Sequence, residues 1–366
     1  FRLDHPWLAQ ARHSGESVRF ILAGALPGGD GRQEAPFGDW DGALSGLQAG
    51  DHVTFVLGRG TLVGSAVFTG LGRVTLLGNS ASVTTMTAVD EPVLVANETD
   101  WLRAWGLRLE RSGAEMGPAV NVEKVDRVHM SQVRVASSAG DGIQATAVGT
   151  DGFILGYSTF EAVAGAALHS VEGLGWWTVD GTTFQGPVGT DGISVVDFGG
   201  SQFRVFGSEF AGGIGADGIS VVDFGGSQFR VGENQFAGPI GGDGISVVDF
   251  GGSQFRSHDN VFQGPLGGDG ISVVDFGGSQ FRSQDNIFQE MAGSGVFSSG
   301  GQGTYLMHND RMEGPIGRDG ITIQGFQGQS VTLQQIHVGE VSRVGISGVE
   351  SLGSWTVDGA TFQGPI

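Results

Sequence analysis

The stretch DGISVVDFGGSQFR, residues 191–204, decides the fold. The same fourteen letters return at 217–230, 243–256 and 269–282, and the copies start at one unvarying interval, 217 − 191 = 26. A fixed internal period of this size marks a solenoid, in which one supersecondary unit cannot bury its apolar face alone and stacks on its neighbours to do so. Within a copy, Ile193-Ser194-Val195-Val196 alternates as a strand does, opened by an Asp-Gly pair and closed by Gly199-Gly200. Ser201-Gln202-Phe203-Arg204 alternates again, and a third short run follows around Phe210 before glycines return the chain to the next Asp-Gly. Three short strands and three turns within one period predict one triangular coil of a parallel β-solenoid, each strand pairing with its equivalents one coil above and below.

The degenerate coils indicate which side chains point inward. Aligning Asp141-Gly142-Ile143 and Asp319-Gly320-Ile321 with Asp191-Gly192-Ile193 keeps apolar residues at the Ile193 and Val195 positions, whereas the Ser194 and Val196 positions become polar. Ile193 and Val195 are therefore expected in the core and Ser194 and Val196 outside it. Asp197 aligns with Ala147 or Gly325, and Phe198 with Val148 or Phe326, which predicts a bulge at 197 that returns Phe198 to the core. Phe203 falls on Phe153 and Phe210 on Phe160, so aromatic columns account for much of the content of 24 phenylalanines. A further column, Ser158, Ser208, Asn234, Asn260 and Asn286, reads as an asparagine ladder, since Asn and Ser accept corner conformations and hydrogen-bond along a stack. An ordinary solvated turn is the alternative.

Composition fits this reading and excludes others. The 68 glycines stand beside only 10 prolines and 39% hydrophobic residues, so the chain is neither collagen-like nor a disordered linker. The formal charge is 19 − 39 = −20, which argues against nucleic acid and anionic membranes as partners. Without cysteine, stability rests on core packing and hydrogen-bonded ladders, and no apolar run is long enough to span a membrane. The start at Phe1, with neither Met nor a leader, is read as a processed, secreted protein, a cloned fragment or a sequence whose true start is missing, with secretion the favoured reading.

The stacked coils, the asparagine column and the opening stretch DGALSGLQAGDHVTFVLGRGTL (41–62) resemble the right-handed parallel β-helix superfamily, the pectate-lyase-like fold. The resemblance covers about residues 40–366. It implies an all-β, right-handed parallel β-helix with an N-terminal capping segment, in coils of about 24–26 residues each. Those coils form a single domain over 40–366, near-identical at 191–294. A short helix from Ala43 to Leu47 is implied as the cap of the first coil, and residues 1–39 read as an N-terminal cap or extension. Enzymes of this superfamily abstract a proton beside an anionic uronate with a basic residue, helped by calcium or clustered Lys and Arg. This chain has one lysine, Lys124, and lacks the Asn-x-Asp, Asp-Asp, Gly-His-Gly and Arg-x-Lys signatures of the superfamily's glycosidases. No carboxylate pair is recognisable as acid and base, so no catalytic residue is assigned. The eight histidines lack metal-ligand spacing, and the GGDG segments at 241–244 and 267–270 differ in period from calcium-binding nonapeptides.

Two charged columns remain: Asp197, Asp223, Asp249 and Asp275, and Arg204, Arg230, Arg256 and Arg282. Like charges repeating at about 4.8 Å repel one another, so each column needs counter-charges. Either the columns neutralise each other or water solvates them, or they form a ligand ladder that grips an acidic polymer through Arg or Ca2+ through Asp. The expectation is an extracellular or cell-surface structural or adhesive solenoid without catalysis. A carbohydrate-active or glycan-binding protein (if an enzyme, a polysaccharide lyase or glycoside hydrolase) and a phage-type receptor-binding spike are the alternatives. The partners expected are an acidic polysaccharide and a second copy joined head to tail into filaments, with Phe362 and Ile366 at the contact; a truncated C-terminus is the alternative to that contact.

Overall fold

The structure, a computed structural model, describes residues 5–26 and 28–363. Among the described residues the chain is all-β apart from two short helices, and its strands run parallel in three sheets wound as a right-handed β-solenoid. It divides into two compact units, Phe1–His169 and Ser170–Ile366.

In the second unit each of the identical coils contributes one strand to each sheet. The coil that opens at Asp191 gives Ile193–Phe198 to sheet 1, Gln202–Phe206 to sheet 2 and Glu209–Phe210 to sheet 3. Each pairs in register with its equivalent one coil on, Ile193 with Ile219, Arg204 with Arg230 and Phe210 with Phe236. Ile193, Val195, Phe198, Phe203, Val205 and Phe210 are fully buried, as the alternation requires. The ladder steps over Asp197, which adopts φ 55° between paired residues 196 and 198. An aspartate tolerates that left-handed geometry better than a branched residue, and the resulting corner turns Phe198 inward. In-register pairing stacks like on like: the Phe210 and Phe236 rings lie 4.6 Å apart and 6° from parallel, the Phe224 and Phe250 rings 5.0 Å and 3°. Such columns fill the coil interior at the strand spacing, and each ring pair adds about 0.5–1.5 kcal/mol beyond its buried area.

In the first unit the same three-sheet winding is less regular, and it begins inside the stretch read as a cap. Ser17–Ile21 pairs in parallel with His52–Leu57, placing residues 17–21 in sheet 2. Helix α1 (Pro6–Ser14), capped by the His5 side chain, lies against the outer face of that sheet, where Leu8 joins Phe20, Val56, Leu77 and Trp105 in an apolar cluster. Helix α2 forms at Trp40–Leu44 instead of 43–47 because Asp39 caps it, its Oδ1 accepting the Gly42 N–H at 2.8 Å. Trp40 closes over Phe55 and Phe68, so the helix covers the start of the core.

Candidate functional site

The outer face of sheet 2 in the second unit is built by alternation. With Phe203 and Val205 inward, Gln202, Arg204 and Phe206 point out. In-register pairing aligns Gln202, Gln228, Gln254 and Gln280 in one column and Arg204, Arg230, Arg256 and Arg282 in the next. Amide-to-amide hydrogen bonds tie the first column, Gln202 to Gln228 at 2.9 Å and Gln254 to Gln280 at 2.5 Å. A third column holds Phe206, Gly232, His258 and Gln284. The rings of Phe206 and His258 stand 5.5 Å apart, and a Cβ on Gly232 would fall 2.6 Å from His258 and 2.8 Å from Phe206.

The arginine column is electrically uncompensated at contact range. The Nε atoms of all four arginines are covered and make no hydrogen bond, while none of the four forms a salt bridge with a carboxylate among the described residues. Arg282 donates to Gln284 at 2.8 Å, and the Arg204 guanidinium lies 5.2 Å from the Phe206 ring. Arg230 is held below the usual arginine pKa by burial and then by Arg204 and Arg256 on either side. Stacking therefore leaves a row of guanidinium ends at the coil pitch with the local field of three or four like charges.

The second charged column sits elsewhere. Asp197, Asp223, Asp249 and Asp275 occupy the exposed left-handed corners between sheets 1 and 2. Neither mutual neutralisation by ion pairs nor a gathered cation site is present: among the described residues no group of three His, Asp or Glu is placed to hold a metal. The structural column is more extensive than the sequence reading. Ser208 N–H donates to Asn234 Oδ1, Asn234 N–H to Asn260 and Asn260 N–H to Asn286, at 2.9, 3.1 and 3.1 Å. It continues to Asp310, which accepts from the Asn286 N–H at 2.9 Å. Phe362 lies on the last described strand, which accounts for its 50% exposure, and Ile366 falls outside the described residues.

A column unassigned from sequence runs through Asp191, Asp217, Asp243 and Asp269, the first letter of each repeat. Each Oδ1 accepts the backbone N–H one coil on, at 3.0, 2.7, 2.6 and 2.5 Å. Burial, partly offset by these bonds, pushes Asp217 and Asp269 up to about 6, and Asp243 in the same direction. In the first unit, the equivalent outer face of sheet 2 is covered. Arg103 lies 3.5 Å from the Trp101 ring and 5.4 Å from that of Trp7 on α1, and Arg73 pairs with Glu16 at 2.5 Å. His129, against Trp7, falls to about 4 through burial and then Arg103 and Arg127, so it is neutral at pH 7.

Comparison with known proteins returns no matching family model, no matching curated protein and no matching solved structure. The class established by the fold is a parallel β-solenoid with near-identical coils.

Proposed function

We propose that this chain is a non-catalytic adhesive solenoid of the pectate-lyase-like superfamily, working outside the cell, that holds a linear acidic polysaccharide against the arginine column of its second unit. One observation carries the reading: four guanidiniums stand in register on consecutive coils without a carboxylate partner. Strand spacing repeats them at about 4.8 Å, which suits a polymer carrying acid groups at regular short intervals. Guanidinium–carboxylate pairs are individually modest when exposed, but four on one rigid face act together, because each contact raises the effective concentration for the next. The glutamine column beside the arginines supplies neutral donors and acceptors for hydroxyls. A turnover site is a single irregular place, whereas four equal surfaces favour repetition of contact.

The test is binding of the purified chain to immobilised alginate and pectate. The double variant Arg230→Ala, Arg256→Ala is expected to weaken binding at least tenfold, with a shallower dependence on salt than the parent. No binding by the parent to any acidic polymer, or clear turnover of one, overturns the reading.

A further inference from the structure

The asparagine ladder ends on a residue that is not asparagine. Along the column each side-chain amide is used at both ends. Asn260 Oδ1 accepts from the Asn234 N–H and Nδ2 at 3.1 and 3.0 Å, and Asn286 Oδ1 accepts from Asn260 in the same way at 3.1 and 2.9 Å. Each Nδ2 also donates to a carbonyl further back, Asn234 to Val205 at 3.0 Å, Asn260 to Val231 at 3.1 Å and Asn286 to Ser257 at 3.3 Å. Asp310 takes the next place and reproduces only the accepting half. Its Oδ1 receives the Asn286 N–H at 2.9 Å and Nδ2 at 3.0 Å. Its Oδ2 stands where the asparagines carry a donor, is buried, and makes no hydrogen bond of regular geometry, the Ser283 hydroxyl being the donor beside the carboxyl; the whole residue is sealed from solvent. A carboxylate supplies no donor there, and a carboxylic acid supplies one.

We propose that Asp310 is held as the neutral acid, and that its ionisation is a proton-operated release of the coil that carries it. Independently of the geometry, burial pushes this carboxyl up to about 7, opposed by the Ser283 hydroxyl and the Asn286 donors and reinforced by the charge of Asp285. Asp285 is itself ionised in that range: burial raises it, but hydrogen bonds from Asn309 and Gln284 outweigh this and leave it below the usual carboxylate value. The other ionisable groups on the surrounding strands are Arg282 on Gln280–Gln284, His308 on Thr304–His308, Arg311 on Arg311–Met312 and His337 on His337–Val338. None of them bonds to Asp310, so no salt bridge competes with the proton. The backbone bonds at stake are those that hold the turn, Arg311 N–H to Asn286 O at 2.8 Å and His337 N–H to Asp310 O at 3.0 Å. The coil is the one directly after the last arginine, since Arg282 pairs in register with Leu306, so its release frees one end of the arginine face. The inference stands whether or not that face binds a polysaccharide.

The experiment is amide hydrogen exchange on the full chain from pH 5.5 to 8.5, corrected for intrinsic exchange, with Asp310→Asn and, as a charge control, Asp285→Asn. Opening coupled to loss of one proton predicts that protection across 286–312 falls about tenfold per pH unit as the pH rises to about 7 in the wild-type chain and levels off above it. Asp310→Asn should flatten the slope between about pH 6 and 7, leaving only what Asp269 contributes below about 6, and should be at least as protected as the wild-type chain at pH 5.5, and Asp285→Asn should keep a slope. If Asp310→Asn retains the full slope, the proposal fails. Should that variant not fold, a carbon-13 titration of the wild-type Asp310 carboxyl decides instead: a midpoint near neutrality supports the proposal, and an ordinary carboxylate midpoint overturns it.

Discussion

Replacing Asn260 by alanine removes one rung from a sealed polar column, and its effect can be worked out from the bonds that are lost. The Asn234 backbone N–H and Nδ2 both donate to Asn260 Oδ1, and the Val231 carbonyl accepts from Asn260 Nδ2. All of these lie in a column with no solvent exposure, at Asn234, Asn260 and Asn286 alike. Alanine strands two donors, and a stranded buried polar group costs about 1–3 kcal/mol, so Asn260→Ala should destabilise by about 2–6 kcal/mol. Serine should behave differently. At position 208 a serine already serves as a rung, accepting the Thr182 N–H at 3.2 Å and donating to Phe206 O at 3.0 Å. Asn260→Ser therefore keeps the backbone N–H satisfied and should cost about 1–2 kcal/mol. Urea unfolding followed by far-ultraviolet circular dichroism reads both as a shift in midpoint at unchanged slope. A domain stability of about 5–15 kcal/mol makes the alanine effect plain. An alanine variant within about 0.5 kcal/mol of wild type, or a serine variant as damaged as the alanine one, would refute the claim that the column supports the fold.

Three further outcomes are expected. Asp217 and Asp269 sit at about 6 and Asp243 is shifted the same way, above the unfolded value of 3.8, so the neutral forms favour the folded state. Their contribution is complete below about 4 and is lost as pH rises through about 6, so the urea midpoint should be higher at pH 5 than at pH 7.5; an equal or lower midpoint at pH 5 contradicts it. Gly218→Ala should destabilise by more than about 2 kcal/mol, because its Cβ would fall 2.6 Å from the Gly244 carbonyl oxygen and 2.7 Å from the Phe236 ring. Gly225→Ala, whose Cβ would meet nothing nearer than the Phe198 oxygen at 3.7 Å, should stay within about 1 kcal/mol of wild type in the same assay. Deleting residues 217–242 joins Ala216 to Asp243 in repeat phase and should leave a folded chain with an unchanged parallel-β spectrum, since each coil touches only its neighbours.

The fixed period made the coil, its three strands and the inward set around Ile193, Phe203 and Phe210 legible before any coordinates, because strict alternation and strict repetition point to the same answer. What stayed hidden shares a physical cause: the feature depends on a neighbouring coil that a single repeat does not display. Asp217 reads as half of an Asp-Gly turn, and only stacking reveals that its oxygen receives the Asp243 N–H. Asp310 escaped the asparagine column because the interval from Asn286 is shorter than the one between the preceding rungs, 310 − 286 = 24 against 286 − 260 = 26. Helix α1 was unread for another reason. Its partners Val56, Leu77 and Trp105 come from three later strands, so its short apolar stripe has meaning only once they are assembled. The arginine column was visible as a column, but whether it is neutralised depended on where the Asp197 corner points, and local sequence does not encode that.

The central claim is that the second unit grips an acidic polymer through repeated arginines, and the most direct test is affinity as a function of ligand length. Uronic-acid oligomers, from the monomer to the octamer, would be titrated calorimetrically into the intact chain and into the chain lacking residues 217–242. Multivalent contact predicts affinity that climbs with each added acid group until the arginines Arg204, Arg230, Arg256 and Arg282 are all engaged and then levels, with the plateau reached at a shorter oligomer and a weaker affinity in the deletion variant. Affinity independent of oligomer length, or identical in the two chains, would contradict the account.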